Sequence, residues 1–174
     1  MKLYDLPASP NARRVRIFIA EKDLQIPMVP IDMISGENRK SEYLAKNSLG
    51  RMPLLELDDG TCIAESIAIC RYLESEFPSP PLFGSSGVEQ AIIEMWQRRM
   101  EFLLLNPMIN IFRHTHEMWK DRMTQIPQIA EIESGDVKEK MIWLDGELKG
   151  KQYIAGGDYS VADITAQCAF VMGK

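Results

Sequence analysis

The stretch from Asn47 to Ser66 holds the residues best placed to do chemistry. It reads Asn47-Ser48-Leu49-Gly50-Arg51-Met52-Pro53, then an Asp58-Asp59-Gly60 turn, then Ala64-Glu65-Ser66. Leu54, Leu55 and Leu57 form an extended apolar run that turns back at Asp-Gly and pairs with a strand from Thr61 to Ala64. Pro53 has no N–H to give to a ladder, so it belongs at a strand's first residue or edge. With a cis Met52-Pro53 bond, the Met52 N–H and C=O would point outward, free to pair with an extended peptide. Free N–H groups at a helix start around Ser66 would hold a carboxylate. A peptide-pairing edge beside an anion cradle suits a small acidic peptide. The plainer reading of the same residues is a β-hairpin followed by a serine-capped helix.

Ser9-Pro10-Asn11-Ala12 forms a second group, at the point where an opening strand gives way to a helix. Read plainly, Ser9 is the N-cap and Pro10 the first helical residue.

The elements that must position these groups follow from periodicity. Lys2 to Asp5 reads as a strand and Pro10 to Lys22 as a helix, with Val15, Phe18 and Ile19 at helical spacing. A second strand at about Met28 to Met33 leads through a polar region and a short helix (about Lys40 to Ala45) to the hairpin. A third helix, Glu65 to about Glu76, is expected to bury Ile67, Cys70 and Leu73. The order β-α-β-α-β-β-α specifies a thioredoxin-like unit with a mixed four-stranded sheet over residues 1–77. Pro78-Ser79-Pro80-Pro81 through Gly84-Ser85-Ser86-Gly87 marks a linker, residues 78–87.

Residues 88–174 read as helical throughout. A long helix from Val88 to about Arg122 is expected to bend at Pro107, and a second spans about Gly135 to Leu148. Ser160 and Asp163 make an S-x-x-D capping box, with Tyr159 and Ile164 in the staple positions around it. The fold class is therefore α/β plus all-α: a thioredoxin-like N-terminal domain followed by a helical bundle.

Composition narrows the partners. The chain has 174 residues, 45% apolar and 26% charged, the profile of a soluble globular protein with material for a core. A net charge of −5 provides no basic field for nucleic acid, and Arg13, Arg14 and Arg16 read as a solvated helix face. No run approaches the ~20 apolar residues of a membrane span. The N-terminus lacks a signal peptide's apolar core, so the cytoplasm is the expected compartment. Cys62, Cys70 and Cys168 have neither metal-ligand nor C-x-x-C spacing, and each reads as a buried small apolar residue. His114 and His116 fall on different sides of a helix, and no metal is expected.

Gly50-Arg51-Met52-Pro53 and Glu65-Ser66, in this order and at this separation, resemble the glutathione-binding site of the glutathione transferase superfamily. Tyr153-Ile154-Ala155-Gly156, followed by Ser160-Val161-Ala162-Asp163, resembles the fold-nucleating element of that family's helical domain. The resemblance covers nearly all of the chain and is nearest to bacterial, theta- and zeta-like serine-type members. It implies that Met52, Pro53, Glu65, Ser66 and Asn38 contact glutathione, which serves as co-substrate without a metal. It also implies that Ser9, at the family's distance before the Arg13 to Arg16 segment, donates a hydrogen bond to the thiolate. Asn11 falls where other bacterial classes place a thiol-contacting cysteine and is the competing candidate; Tyr4 ranks below both.

The activity so implied is conjugation of glutathione to an electrophilic small molecule, a detoxification reaction. Glutathione-dependent isomerisation or dehalogenation is an alternative within the same chemistry. A non-catalytic interaction module is an alternative outside it. The family's homodimer would join the first domain of one subunit to the long helix of the other, through Met95, Trp96, Arg98, Arg99 and Met100. Phe112 and Trp119 are candidates to line an electrophile pocket, with core packing as their plainer role. In the family one or two further helices follow the capping box, whereas this chain stops at Lys174, so a missing C-terminal part is expected.

Overall fold

Side-chain alternation organises the first unit. In β1 (Lys2–Asp5), Leu3 and Asp5 face one side of the sheet and Tyr4 the other. The computed structural model describes residues 1–172. The last two residues of the expected helical domain, 173–174, lie outside the described residues. The chain divides into two units, Met1–Leu82 and Phe83–Lys174, so the division falls inside the expected linker.

The sheet of the first unit has the order β2-β1-β3-β4, with β2 Met28–Pro30, β3 Leu54–Glu56 and β4 Cys62–Ala64. β1 pairs parallel with β2 and antiparallel with β3, and β3 pairs antiparallel with β4. α1 (Pro10–Glu21) and α3 (Ser66–Glu76) pack against each other, and an Arg16–Asp5 ion pair fixes α1 to the Asp5 face of β1. α2 is a short turn, Ser41–Leu44, preceded by a 3-10 turn at Glu37–Arg39. The other face of the sheet carries a small cluster of Tyr4, Ile31, Tyr43 and Leu54, with Met52 and Cys62 packed against it. Tyr4 and Tyr43 meet edge to face there, their centroids 5.8 Å apart. Removing one such large apolar side chain from water contributes roughly 1.5–3 kcal/mol.

Several expectations for this unit are corrected. β2 stops at Pro30 rather than about Met33, because the Asp32 carboxylate accepts from the Ile34 and Ser35 N–H groups and turns the chain. The buried stripe of α3 is Ser66, Ile69, Cys70 and Leu73; Ile67 is only half-buried. Cys70 is buried as expected, but Cys62 is only half-buried, since β4 closes the sheet edge. Arg13, Arg14 and Arg16 are not a solvated face. Arg14 is fully buried and the other two are half-buried.

The second unit is helical. It comprises α4 (Gly87–Met100), a π-helical turn at Glu101–Leu105, α5 (Asn106–Thr115), a 3-10 turn at Glu117–Trp119, α6 (Pro127–Glu147) and α7 (Val161–Met172). The long helix ends at Thr115, short of Arg122. Pro107 cannot donate, and the bonding register ahead of it slips to i→i−5, with Asn106 N–H donating to Glu101 O. α6 starts at Pro127, eight residues before the expected Gly135, because proline suits the first helical position. The Ser160 box forms by half. Asp163 accepts from Ser160 N–H at 2.9 Å and also from Ile154 N–H at 2.8 Å, while the Ser160 hydroxyl donates to that same carboxylate.

Candidate functional site

Strand register brings the sequence candidates to one end of the sheet. Leu54 pairs with Ala64, which sets Met52-Pro53 opposite Glu65-Ser66. Tyr4 pairs with Leu54, so the chain leaving β1 toward Ser9 starts at the same end. Ligands of open sheets with helical crossovers collect at such strand ends.

The loop before β3 is held by three side chains. Tyr43 Oη and Asn47 Nδ2 both donate to the Arg51 carbonyl at 2.8 Å, and Asn38 Nδ2 donates to the Gly50 carbonyl at 2.7 Å. Burial pushes the Tyr43 phenol up to about 12, so it stays a neutral donor. Gly50 has φ +62, and a Cβ there would lie 2.7 Å from the Asn38 backbone oxygen, so the close approach requires glycine. The Met52-Pro53 bond is cis, as expected. Among the described residues, no backbone hydrogen bond outside the helices and strands involves Met52. Asn38 is itself buried, so it shapes the loop through Gly50 rather than presenting its amide to solvent.

Glu65 is the one candidate with an unusual backbone. Its φ of 67° and ψ of 117° place a non-glycine residue in the left-handed half of the map, a conformation that costs on the order of 1–3 kcal/mol. Ser66 is tucked in behind it, and Ile69 N–H donates to Glu65 O at 3.0 Å. Among the described residues no side chain caps the N-terminus of α3, so its first N–H groups are available to an anion. The Glu65 side chain is exposed beside them.

Below this turn lies an interaction that sequence reasoning missed. The fully buried Arg14 donates from one terminal nitrogen to Ser66 Oγ at 2.9 Å, tying α1 to the start of α3. The signal was present in the spacing. Arg14 lies on the stripe of Val15, Phe18 and Ile19 that the helical period had already marked as buried.

Ser9 caps α1: its hydroxyl oxygen accepts from Ala12 N–H at 3.3 Å. That bond uses a lone pair and leaves the hydroxyl proton free to donate elsewhere. Asn11 is half-buried at the second position of the helix. Tyr4 is excluded as a thiol donor at this end. Its hydroxyl donates to Glu56 Oε2 at 2.7 Å on the sheet face away from α1. Glu56 also accepts from Lys46 at 2.5 Å, and those two bonds, Lys46 first, lower its pKa to about 2.

The remaining candidates fall elsewhere. His114 and His116 each accept a backbone N–H through Nδ1, from Ile126 and Met118 respectively. Among the described residues no cluster of His, Cys, Asp and Glu could hold a metal ion. No helix among them is long and apolar enough to cross a membrane. Phe112 stacks on His116 at 4.5 Å and Trp119 lies under the Arg113 guanidinium at 5.3 Å, both within the second unit.

A family model described as glutathione S-transferase, N-terminal domain, matches residues 3–81. Glutathione S-transferase 2 of Saccharomyces cerevisiae is 37% identical over 174 residues, covering 95% of this chain and 72% of that protein. The chain belongs to the glutathione S-transferase superfamily. A crystal structure of a glutathione S-transferase domain-containing protein from Marinobacter aquaeolei superposes with a TM-score of 0.95 at 38% identity. It covers 99% of this chain and 86% of that one. A maleylacetoacetate isomerase of Pseudomonas aeruginosa is 41% identical over 93 residues, 52% of this chain and 44% of that enzyme. For this glutathione S-transferase superfamily member, the matched family domain contains the Ser9, Met52-Pro53 and Glu65-Ser66 positions together.

Proposed function

We propose that this protein is a glutathione transferase in which Ser9 stabilises the glutathione thiolate for attack on an electrophilic small molecule. The observation that carries the reading is the convergence of the Ser9 cap, the Met52-Pro53 loop and the uncapped Glu65-Ser66 helix start at one sheet end. The γ-glutamyl carboxylate binds at the α3 N–H groups and Ser66, and Glu65 pairs with the ammonium. The cysteinyl backbone pairs with Met52.

A free thiol titrates near ~8.5, and the thiolate is the nucleophile. The Ser9 hydroxyl, its oxygen capping α1 and its proton directed to sulfur, favours the charged form, as does the positive end of α1. Lowering the thiol pKa by about two units takes roughly 2.7 kcal/mol, within reach of one charge-assisted bond plus a helix dipole. The thiol proton leaves to solvent. The sulfur lone pair forms the new C–S bond as the electrophile's leaving group departs or its π bond accepts the electrons.

Isomerisation of an acidic substrate is a second reading, favoured by the match to an isomerase over about half of the chain. Assay of a panel of aryl halides, enones and cis-enoic acids with glutathione separates the two. Conjugate formation supports transfer; geometric isomerisation with glutathione regenerated supports the isomerase.

The reading extends to a cytoplasmic homodimer that serves in detoxification. Val88, Ile92 and Met95 repeat along the exposed side of α4, and Phe102 is also exposed, which supports an association surface. Trp96 and Met100, expected at that surface, are instead buried in the second unit's core, where Trp96 stacks on Trp143. Light scattering at micromolar protein tests the dimer; a monomer mass contradicts it.

A further inference from the structure

Arg13, Arg14 and Arg16 follow one another within α1, and two of them have evident roles. Arg14 is bound to Ser66, and Arg16 pairs with Asp5 at 2.5 Å. Arg13 is different. Among the described residues its Nε is shut off from solvent without an acceptor, and no other partner is recorded for its guanidinium. The residue as a whole is only half-buried, which leaves its head within reach of a ligand. The terminal nitrogens are not among the shielded atoms, so they are the donors an arriving anion meets in charge-assisted bonds.

Position says where that anion lies. Arg13 is four residues after Ser9, and its N–H donates to the Ser9 carbonyl at 2.9 Å. Residues four apart share a helix face, and helical side chains lean back toward the N-terminus, so Arg13 covers the Ser9 turn. The planar guanidinium fork matches a carboxylate in two parallel bonds. The γ-glutamyl carboxylate of glutathione is assigned above to the cradle at α3; if its glycyl carboxylate held Arg13, the glutathione-loaded protein would show no acid preference in the test below.

We infer that Arg13 recognises a carboxylate on the electrophilic co-substrate, so the enzyme's own substrates are acidic electrophiles. This rests on Ser9 marking the sulfur. The electrophilic carbon must reach that sulfur, and a carboxylate a few bonds away then reaches Arg13.

The test compares 4-chloro-3-nitrobenzoate with 4-chloro-3-nitrobenzamide as substrates. The unreactive 3-nitrobenzoate and 3-nitrobenzamide serve as ligands of the glutathione-loaded protein in calorimetry. The expected result is an acid preference of about tenfold or more in binding and in kcat/KM, falling to near one in Arg13→Gln and partly kept in Arg13→Lys. Melting curves confirm that both variants fold. Equal binding of acid and amide by the parent protein, or a preference that survives Arg13→Gln, overturns the inference. Ser9→Ala should slow both substrates alike and leave the preference intact. If the parent turns over neither compound, the transferase reading fails, while the binding comparison, which needs no turnover, still decides the role of Arg13.

Discussion

The guanidinium of Arg14, fully buried, donates to the Ser66 hydroxyl at 2.9 Å and so couples the first helix to the turn proposed to receive the glutathione carboxylate. The bond joins residues 52 positions apart and fixes Ser66 from inside the protein. Ser66 can then offer a ligand both its backbone N–H and, with its oxygen held by Arg14, its hydroxyl proton. Replacing Arg14 by Met removes the donor but keeps most of the apolar stem. The expected loss is ~2–4 kcal/mol of stability and a several-fold weaker glutathione affinity, measured by denaturant melts and calorimetry. Full affinity in a folded Arg14→Met protein would show that the link is only structural.

Ser66→Ala and Glu65→Ala test the cradle itself. Each removes one polar contact to the γ-glutamyl end, and a charge-assisted bond of this kind contributes about 1.5–3 kcal/mol. Glutathione affinity should fall roughly tenfold or more in each, by calorimetry. If both variants bind as tightly as the parent, the carboxylate lies elsewhere.

Gly50→Ala tests the loop. The added Cβ meets the Asn38 carbonyl at 2.7 Å at a φ of +62. The loop must shift, costing ~1–3 kcal/mol of stability and raising the KM for glutathione more than it lowers kcat. An unchanged KM would mean that the Gly50–Met52 backbone takes no part in binding. Asn38→Ala should act in the same direction, since it deletes the bond that fixes the Gly50 carbonyl.

The Glu56 carboxylate gives a pH prediction. Lys46 chiefly, and the Tyr4 hydroxyl second, hold it down to about 2 in the folded protein, against an ordinary value of 4.5. Because the folded value is the lower one, its stabilisation is present above pH ~4.5 and is lost as pH falls through about 2. Glu56→Gln should therefore lower the melting temperature near neutral pH, with parent and variant converging toward pH ~2. Circular dichroism melts across that range check it; curves that stay parallel contradict the assignment.

How much was legible in the sequence depended on the range of the interaction. The Asp58-Asp59-Gly60 turn, the Pro10 helix start and the Met52-Pro53 edge are local chemistry, and the structure places each where the residue types demand. The Arg14–Ser66 bond and the Tyr43, Asn47 and Asn38 clasp on the Gly50 and Arg51 carbonyls are tertiary. A charged residue in a basic triplet looks solvated until a second helix is packed upon it. Lys22 makes the same point: its side chain is fully buried, and its ammonium donates to the Phe77 and Pro80 carbonyls at 2.6 and 2.7 Å. In the second unit the bend expected at Pro107 takes the form of a π turn, while the helix end was misread because the chain turns extended at His116, which nothing in the local sequence marks. The strain at Glu65 was equally hidden, since nothing in an Ala-Glu-Ser tripeptide signals a positive φ.

The central claim is that the Ser9 hydroxyl, while its oxygen caps α1, donates its proton to the bound thiolate. The most direct measurement is an ultraviolet thiolate titration of the glutathione complex for the parent, Ser9→Ala and Asn11→Ala. The account predicts a bound-thiol pKa about two units below the free value in the parent and in Asn11→Ala. In Ser9→Ala it should return toward ~8.5, with kcat reduced and glutathione affinity nearly kept. A bound-thiol pKa that stays low in Ser9→Ala, or that rises only in Asn11→Ala, would contradict it.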